Sequence, residues 1–273
     1  MELKIIIGPK RVKNLKAWFS SYVKTFKFGD KELRQNVILK EEHTKRVCNE
    51  ILRIGEQIEL NQDEMCLAEI MALLHDVGRF EQYAHYRTFH DRKSEDHAIL
   101  GINILNRYGI LNGFEEATKD LILRVIGYHN RATLPSSEPE PGMLFTKLLR
   151  DADKLDIWKV VTDYYHRGNG QRNGALELDL PNTPGISTEV YRDLINQGVV
   201  DVNTIRNLND FKLLQIGWVF DINFEPSLRS VRSRRYLEMI LETLPESDEI
   251  HGIYNVTQKY IDHRLNGMRE KQL

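Results

Sequence analysis

Four histidines and two aspartates of metal-binding type fall along this chain in the order His43, His75-Asp76, His97, His129 and Asp153. One transition-metal ion needs three or four protein ligands, so this set is large enough for two ions that share a carboxylate. Each member stands on, or beside, the apolar stripe of a helix read from the sequence. Leu39, His43, Val47 and Ile51 are spaced by four, which points the imidazole where the aliphatic side chains point. Ile70, Met71 and Leu74 lead into His75 and Asp76, and His97 shares a face with Gly101, Ile104 and Tyr108. Ile122, Val125 and Ile126 precede His129, and Leu149 and Ile157 flank Asp153. Polar groups facing a core must be satisfied there, and a shared cation would satisfy all six together. Singly, none is diagnostic. An inward histidine is usually hydrogen-bonded within a core, and Asp153 could equally be an ion-pair partner. The His-Asp pair even recurs as His90-Asp91. The joint occurrence carries the expectation.

The elements that would hold these residues are helical. Apolar residues recur three and four apart over 11–26, 37–59, 62–75, 95–108, 115–129 and 143–166. Asn61 ahead of Gln62-Asp63-Glu64 reads as an N-cap followed by acids in the first turn, and Ser94 ahead of Glu95-Asp96 repeats the pattern. Asn112-Gly113 separates two further helices. Only residues 3–7 read as a strand. Residues 131–142, with three of the eight prolines, and the glycine-, asparagine- and proline-rich stretch 168–185 read as loops. The second is long enough to be mobile or functional. Helical patterning returns at 188–197, 202–220, 227–243 and 248–265. The expected architecture is all-α: a core over 1–166, with the motifs within 37–161, and a helical C-terminal extension over 167–273 packed on it.

Composition narrows the class. The 273 residues are 41% hydrophobic and 29% charged, ordinary for a globular protein with room for a substantial core. A formal net charge of -2 gives no global basic field, so nucleic acid is not an expected partner. No apolar run approaches a membrane span, and the first ten residues lack the apolar core of a secretory signal. The expected setting is therefore the cytoplasm, without a membrane partner. Cys48 and Cys66 are too few for a disulfide framework and read as buried thiols beside aliphatic residues. A homo-oligomer stays open.

Taken together, His43 in EEHTKRV, His75-Asp76 in LLHDVGRF and Asp153 in RDADKLD resemble the defining pattern of the HD-domain metal-dependent phosphohydrolase superfamily. His97 in DHAILGINIL and His129 in IGYHN resemble the subset that carries two metals. The resemblance covers roughly 37–161 and implies an all-α HD-type helical bundle with metal buried between its helices. Residue by residue, it implies that His43, His75, Asp76 and Asp153 bind one ion, and that Asp76 bridges to a second held by His97 and His129. Among the neighbouring Asp151, Asp153 and Asp156 it selects Asp153 through the Ala152-Asp153 pair, and it leaves Asp151 either to orient a histidine or to lie on the helix surface. Two departures from relatives stand out. Guanosine polyphosphate hydrolases follow His-Asp with an acidic pair, whereas Val77-Gly78-Arg79-Phe80 follows here. Two-metal cyclic-dinucleotide hydrolases continue after the late histidine with Gly-Tyr-Pro, whereas Asn130-Arg131-Ala132 stands here. Neither specific activity follows from the resemblance.

Two divalent ions sharing Asp76 would lower the pKa of a bridging water towards neutrality, giving a hydroxide able to attack phosphorus in line. Mixed imidazole and carboxylate ligands suit Mn, Fe, Co, Ni or Zn better than Ca. Arg79 occupies a position where relatives often place a phosphate-contacting Lys, although it could instead pair with Glu81 at the surface. Lys154 is a weaker second choice, since adjacent helix positions diverge by about 100°. The stretch 82–93 (QYAHYRTFHDRK) mixes aromatics and cations that would suit a nucleotide, or simply pack as a loop. The basic run 229–235 is either an anionic-partner patch or a solvated face. The expected activity is hydrolysis of a phosphate ester in a nucleotide or other small phosphorylated metabolite. A di-iron oxygenase on the same ligand set and a non-catalytic, metal-stabilised ligand-binding module are the alternatives.

Overall fold

A computed structural model describes residues 7–167 and 172–269, and among these there are helices and no strand. Of the stretch 3–7 read as a strand, residues 3–6 lie outside the described residues, and Ile7 is buried in irregular backbone. The chain forms two compact units, Met1–Asp156 and Ile157–Leu273.

The first unit contains α1 (Pro9–Lys24), α2 (Lys31–Gln57), α3 (Gln62–Leu74), α4 (Gly78–Tyr86), α5 (His97–Arg107), α6 (Glu116–Tyr128) and the first turns of α7 (Gly142–His166). Capping chemistry sets several of these boundaries. Asp30 accepts a hydrogen bond from Leu33 N at 2.8 Å, so α2 begins earlier than its apolar period suggests. Asn61 makes a full capping box: it accepts from Glu64 N at 3.0 Å, while Glu64 accepts from Asn61 N at 2.9 Å. At α5 the cap is Asp96 rather than Ser94, since Asp96 accepts from Ala98 N and Ile99 N at 2.8 and 3.1 Å. That places His97 at the first helical position.

Packing places α2 against α3 and α4, α5 against α4 and α6, and α3 against both α1 and α6. Val47, Ile51, Ile54, Leu67, Ile70, Met71, Leu74, Ile104, Ile122 and Val125 are wholly buried, on the helices that carry or lead into the ligand-type histidines. Cys48 and Cys66 are buried free thiols, and burial, with Glu69 nearby, pushes the Cys48 thiol up to about 12. A thiol so raised is inert at neutral pH. Helix α4 occupies ground read from sequence as an irregular stretch; Arg87, left-handed at φ 57°, ends it.

The second unit takes in the end of α7 and α8 (Gly174–Glu177), α9 (Thr188–Ile195), α10 (Leu208–Gly217), α11 (Glu225–Ser233), α12 (Tyr236–Leu241) and α13 (Asp248–Arg269). Residues 168–171 of the glycine-rich stretch lie outside the described residues, and the remainder includes α8. Trp158 is fully buried against Trp218 and Tyr236. The span 202–220, read as one helix, divides into a short 3-10 turn (Val202–Thr204), α10 and a second 3-10 turn (Trp218–Asp221). The span 227–243 divides at Arg235, whose φ of 56° cannot continue a right-handed helix. The basic run is neutralised locally: Arg229 pairs with Glu225, Arg232 with Asp262, and Arg235 with Glu242. Among the described residues, no helix is long and apolar enough to cross a membrane.

Candidate metal centre

Five segments of the first unit deliver the six ligand-type side chains to one place. His43 lies in the interior of α2, and His75 and Asp76 follow the last turn of α3. His97 opens α5, His129 closes α6, and Asp153 lies on α7. The four histidines and Asp76 are buried, while the Asp153 side chain is 18% exposed and marks the open edge.

Asp76 stands at the junction, with each oxygen facing a different pair of imidazoles. Its Oδ2 is 3.4 Å from His43 Nε2 and 3.6 Å from His75 Nε2. Its Oδ1 is 3.4 Å from His97 Nε2 and 3.8 Å from His129 Nε2. Asp153 Oδ1 joins the first group, 3.1 Å from His43 Nε2 and 3.7 Å from His75 Nε2. Two sets of donor atoms, one from His43, His75 and Asp76 and one from Asp76, His97 and His129, each lie within 4.8 Å of one another.

The far nitrogens of the same rings show why this set suits a cation. His75 Nδ1 lies 2.7 Å from Ala72 O and His129 Nδ1 lies 2.6 Å from Ile126 O. A carbonyl can only accept, so Nδ1 carries the proton in both rings. His43 Nδ1 and His97 Nδ1 sit 2.7 Å from the carboxylates Asp156 and Asp91, which favour the same tautomer. Every Nε2 therefore turns a lone pair inward when its ring is neutral. The Nε2 atoms of His43 and His75 are buried without a hydrogen bond, and those of His97 and His129 face each other at 3.0 Å. Four inward-facing Nε2 atoms and two carboxylates form a mixed donor set of the kind that divalent metal fits.

Electrostatics separate the two sides of the centre. Burial, the largest influence on the His43 ring, opposes its protonation, as does Lys40. The carboxylates of Asp153, Asp156 and Asp76 around it outweigh both and push the ring up to about 10. Burial and then Arg79 draw His97 down to about 4, against the pull of Asp91, so that ring is neutral at pH 7. Burial alone would raise Asp76 and Asp153. The cations and histidines around them hold both well below the usual carboxylate range.

Of the cations singled out from sequence, Arg79 reaches the centre with its hands full. Its Nη1 donates to Gln82 Oε1 at 2.9 Å, Phe89 O at 2.5 Å and Asp91 Oδ1 at 2.8 Å, while its Nε lies 3.6 Å from Asp76 Oδ1. It does not pair with Glu81, which takes Arg107 at 2.9 Å. Lys154 is buried next to Asp153. Three further residues take roles that the sequence did not assign to them. Asp156, clamped by Arg46 at 2.6 and 3.1 Å, is the carboxylate that meets the His43 ring, and its only signal is the three-residue spacing from Asp153. Asp91, half of the apparently accidental His90-Asp91 pair, meets the His97 ring. Lys40 lies 2.6 Å from Asp76 Oδ2.

Carboxylates that orient metal-binding histidines are usually worth about 10–100-fold in metal affinity. Asp91→Asn is therefore expected to weaken binding at the His97–His129 side by that factor and spare the His43–His75 side. Asp156→Asn should do the reverse, with metal titration of chelator-treated protein as the readout. An equal loss at both sides in either variant would contradict the assignment of one orienting carboxylate to each half.

Comparison with known proteins agrees with the resemblance seen in the sequence. Residues 41–158 match the family model of the HD domain. Over these residues the chain matches the HD domain, an all-α fold whose family consists mostly of metal-dependent hydrolases. No curated protein and no solved structure matches the chain.

Proposed function

We propose that this protein is a phosphohydrolase that cleaves a phosphate ester, in a nucleotide or another small phosphorylated metabolite, with a pair of divalent ions. The reading rests on one observation above all: each oxygen of Asp76 faces its own pair of inward-turned Nε2 atoms. His43, His75, Asp76 and Asp153 would hold one ion, and Asp76, His97 and His129 the other. Manganese, iron, cobalt, nickel and zinc all suit this mixed donor set. Bound ions would supply Lewis acidity to the phosphoryl oxygens and to the attacking water.

The protein's own residues do the rest. Asp156 and Asp91 fix the rings of His43 and His97, and Arg79 holds Asp91 in place. The apolar wall of Ile70, Met71, Leu74 and Ile122 keeps bulk water away from the buried donors. Asp153 and Lys40, the partly exposed members, mark the side from which an ester approaches. The chemistry belongs to residues 1–166; the extension over 167–273 contributes no member of the donor set. Two buried free thiols suit the reducing cytoplasm.

The test is phosphate release. Protein reloaded separately with each of the five metals is incubated with a broad panel of phosphomonoesters and diesters. Release from at least one class, abolished by chelator and restored by metal, is the expected result. Metal-loaded protein that releases phosphate from none of them would overturn the reading.

A further inference from the structure

Lys40 sits three residues before His43 on α2, so it projects onto the same face as that histidine. Its ammonium makes a 2.6 Å ion pair with Asp76 Oδ2, and its side chain is 16% exposed. It also lies 5.5 Å from the centre of the Phe89 ring. Oδ2 is the oxygen that faces the Nε2 atoms of His43 and His75, so the ammonium stands against the position a divalent ion needs. Two cations at that oxygen repel each other and compete for its charge. Among the described residues, Asp76 is the only anionic partner of Lys40. Arg79 differs, because Gln82, Phe89 and Asp91 already take its Nη1.

We propose that Lys40 has two stations: it neutralises Asp76 in the metal-free protein, and once metal is bound it turns to the phosphoryl group of the substrate. The inference rests on the phosphohydrolase reading and names the residue that recognises the anion. A divalent ion held by His43, His75 and Asp76 would draw Asp76 away from the ammonium, which would then stand at a half-buried edge without its counter-ion. The Phe89 ring offers it a favourable face but no negative charge. An incoming phosphoryl oxygen supplies the missing anion, at the open edge marked by Asp153. Loading with metal thereby prepares the substrate site, and without metal Lys40 supplies the counter-charge of Asp76.

The experiment compares wild type with Lys40→Met, Lys40→Gln and Lys40→Arg in two titrations. In the first, chelator-treated protein is titrated with manganese or zinc alone. In the second, metal-loaded protein is titrated with inorganic phosphate, and far-UV circular dichroism verifies folding. The neutral variants should bind metal more tightly than wild type, because a competing cation has gone. Loaded, they should bind phosphate about 10–100-fold more weakly, the usual range for a lost hydrogen bond to a charged group. Lys40→Arg should keep most of the phosphate affinity.

Neutral variants with undiminished phosphate affinity would overturn the proposal, as would neutral variants that bind metal more weakly, since Lys40 would then be a mere support for Asp76. Loaded wild type that binds no phosphate would overturn it too. The two readings fail separately. Ester hydrolysis with phosphate affinity indifferent to Lys40 removes only the role of Lys40. Lys40-dependent phosphate binding without hydrolysis of any ester removes only the hydrolase.

Discussion

Asp76→Ala is expected to empty both halves of the centre at once, taking metal content from about two ions per chain to near zero. The size of the effect follows from geometry. Each Asp76 oxygen faces a separate pair of Nε2 atoms, at 3.4 and 3.6 Å on one side and 3.4 and 3.8 Å on the other. Among the described residues no other carboxylate is seen to reach both sides, since Asp153 approaches only His43 and His75. His129→Ala should therefore behave differently, weakening one half and leaving the His43–His75 half loaded. Elemental analysis of protein purified without chelator separates the cases, and phosphate release should vanish with Asp76. If Asp76→Ala kept a full complement of metal, the shared carboxylate would be the wrong frame and the buried histidines would need another explanation.

How far the centre can be read from sequence depends on what kind of signal each residue leaves. The convergence of His43, His75, Asp76, His97, His129 and Asp153 is legible because each rides on an apolar stripe, and an apolar stripe points inward. All-α architecture is legible for the same reason. Residues that act through a ring's far nitrogen leave almost no trace. Asp156 differs from any helical aspartate only by its spacing from Asp153, and Asp91 lies on a short 3-10 turn where no period operates. Lys40 is one charge within a charged stretch, so composition says nothing of its 2.6 Å contact with Asp76. Helix α4 is hidden because its polar residues are used inside. Gln82 is fully buried and donates to Asp91, Ser94 and Glu95 O, so it reads as surface while serving the core. Breaks at single left-handed residues such as Arg235 are also silent, because nothing in an arginine announces a positive φ.

Gly78→Ala is the other substitution expected to have a large effect, although Gly78 is no ligand. A Cβ at Gly78 would lie 2.1 Å from His97 O and 2.7 Å from Gly101 N. Both are backbone atoms of α5 and cannot swing aside as a flexible side chain could. The missing side chain lets α4 and α5 pack in direct backbone contact, which is how the peptide just after His75-Asp76 comes to touch the residue that opens α5. An added methyl must push α5 away, at a cost of about 1–3 kcal/mol or more. Because the displaced residue is His97, stability and metal should fall together, with the His97–His129 half emptied first. Gly252→Ala supplies the contrast: it lies within α13, its Cβ would meet only Ile195 Cδ1 at 3.7 Å, and replacing a mid-helix glycine there should be neutral or stabilising by about 0.5–1 kcal/mol. Denaturant melts of both variants, with metal content measured on the same preparations, test the coupling. A Gly78→Ala protein that melts with wild type and holds as much metal would show that α5 can yield without moving His97. The backbone contact would then not be what sets the distance between Asp76 and the second half of the centre.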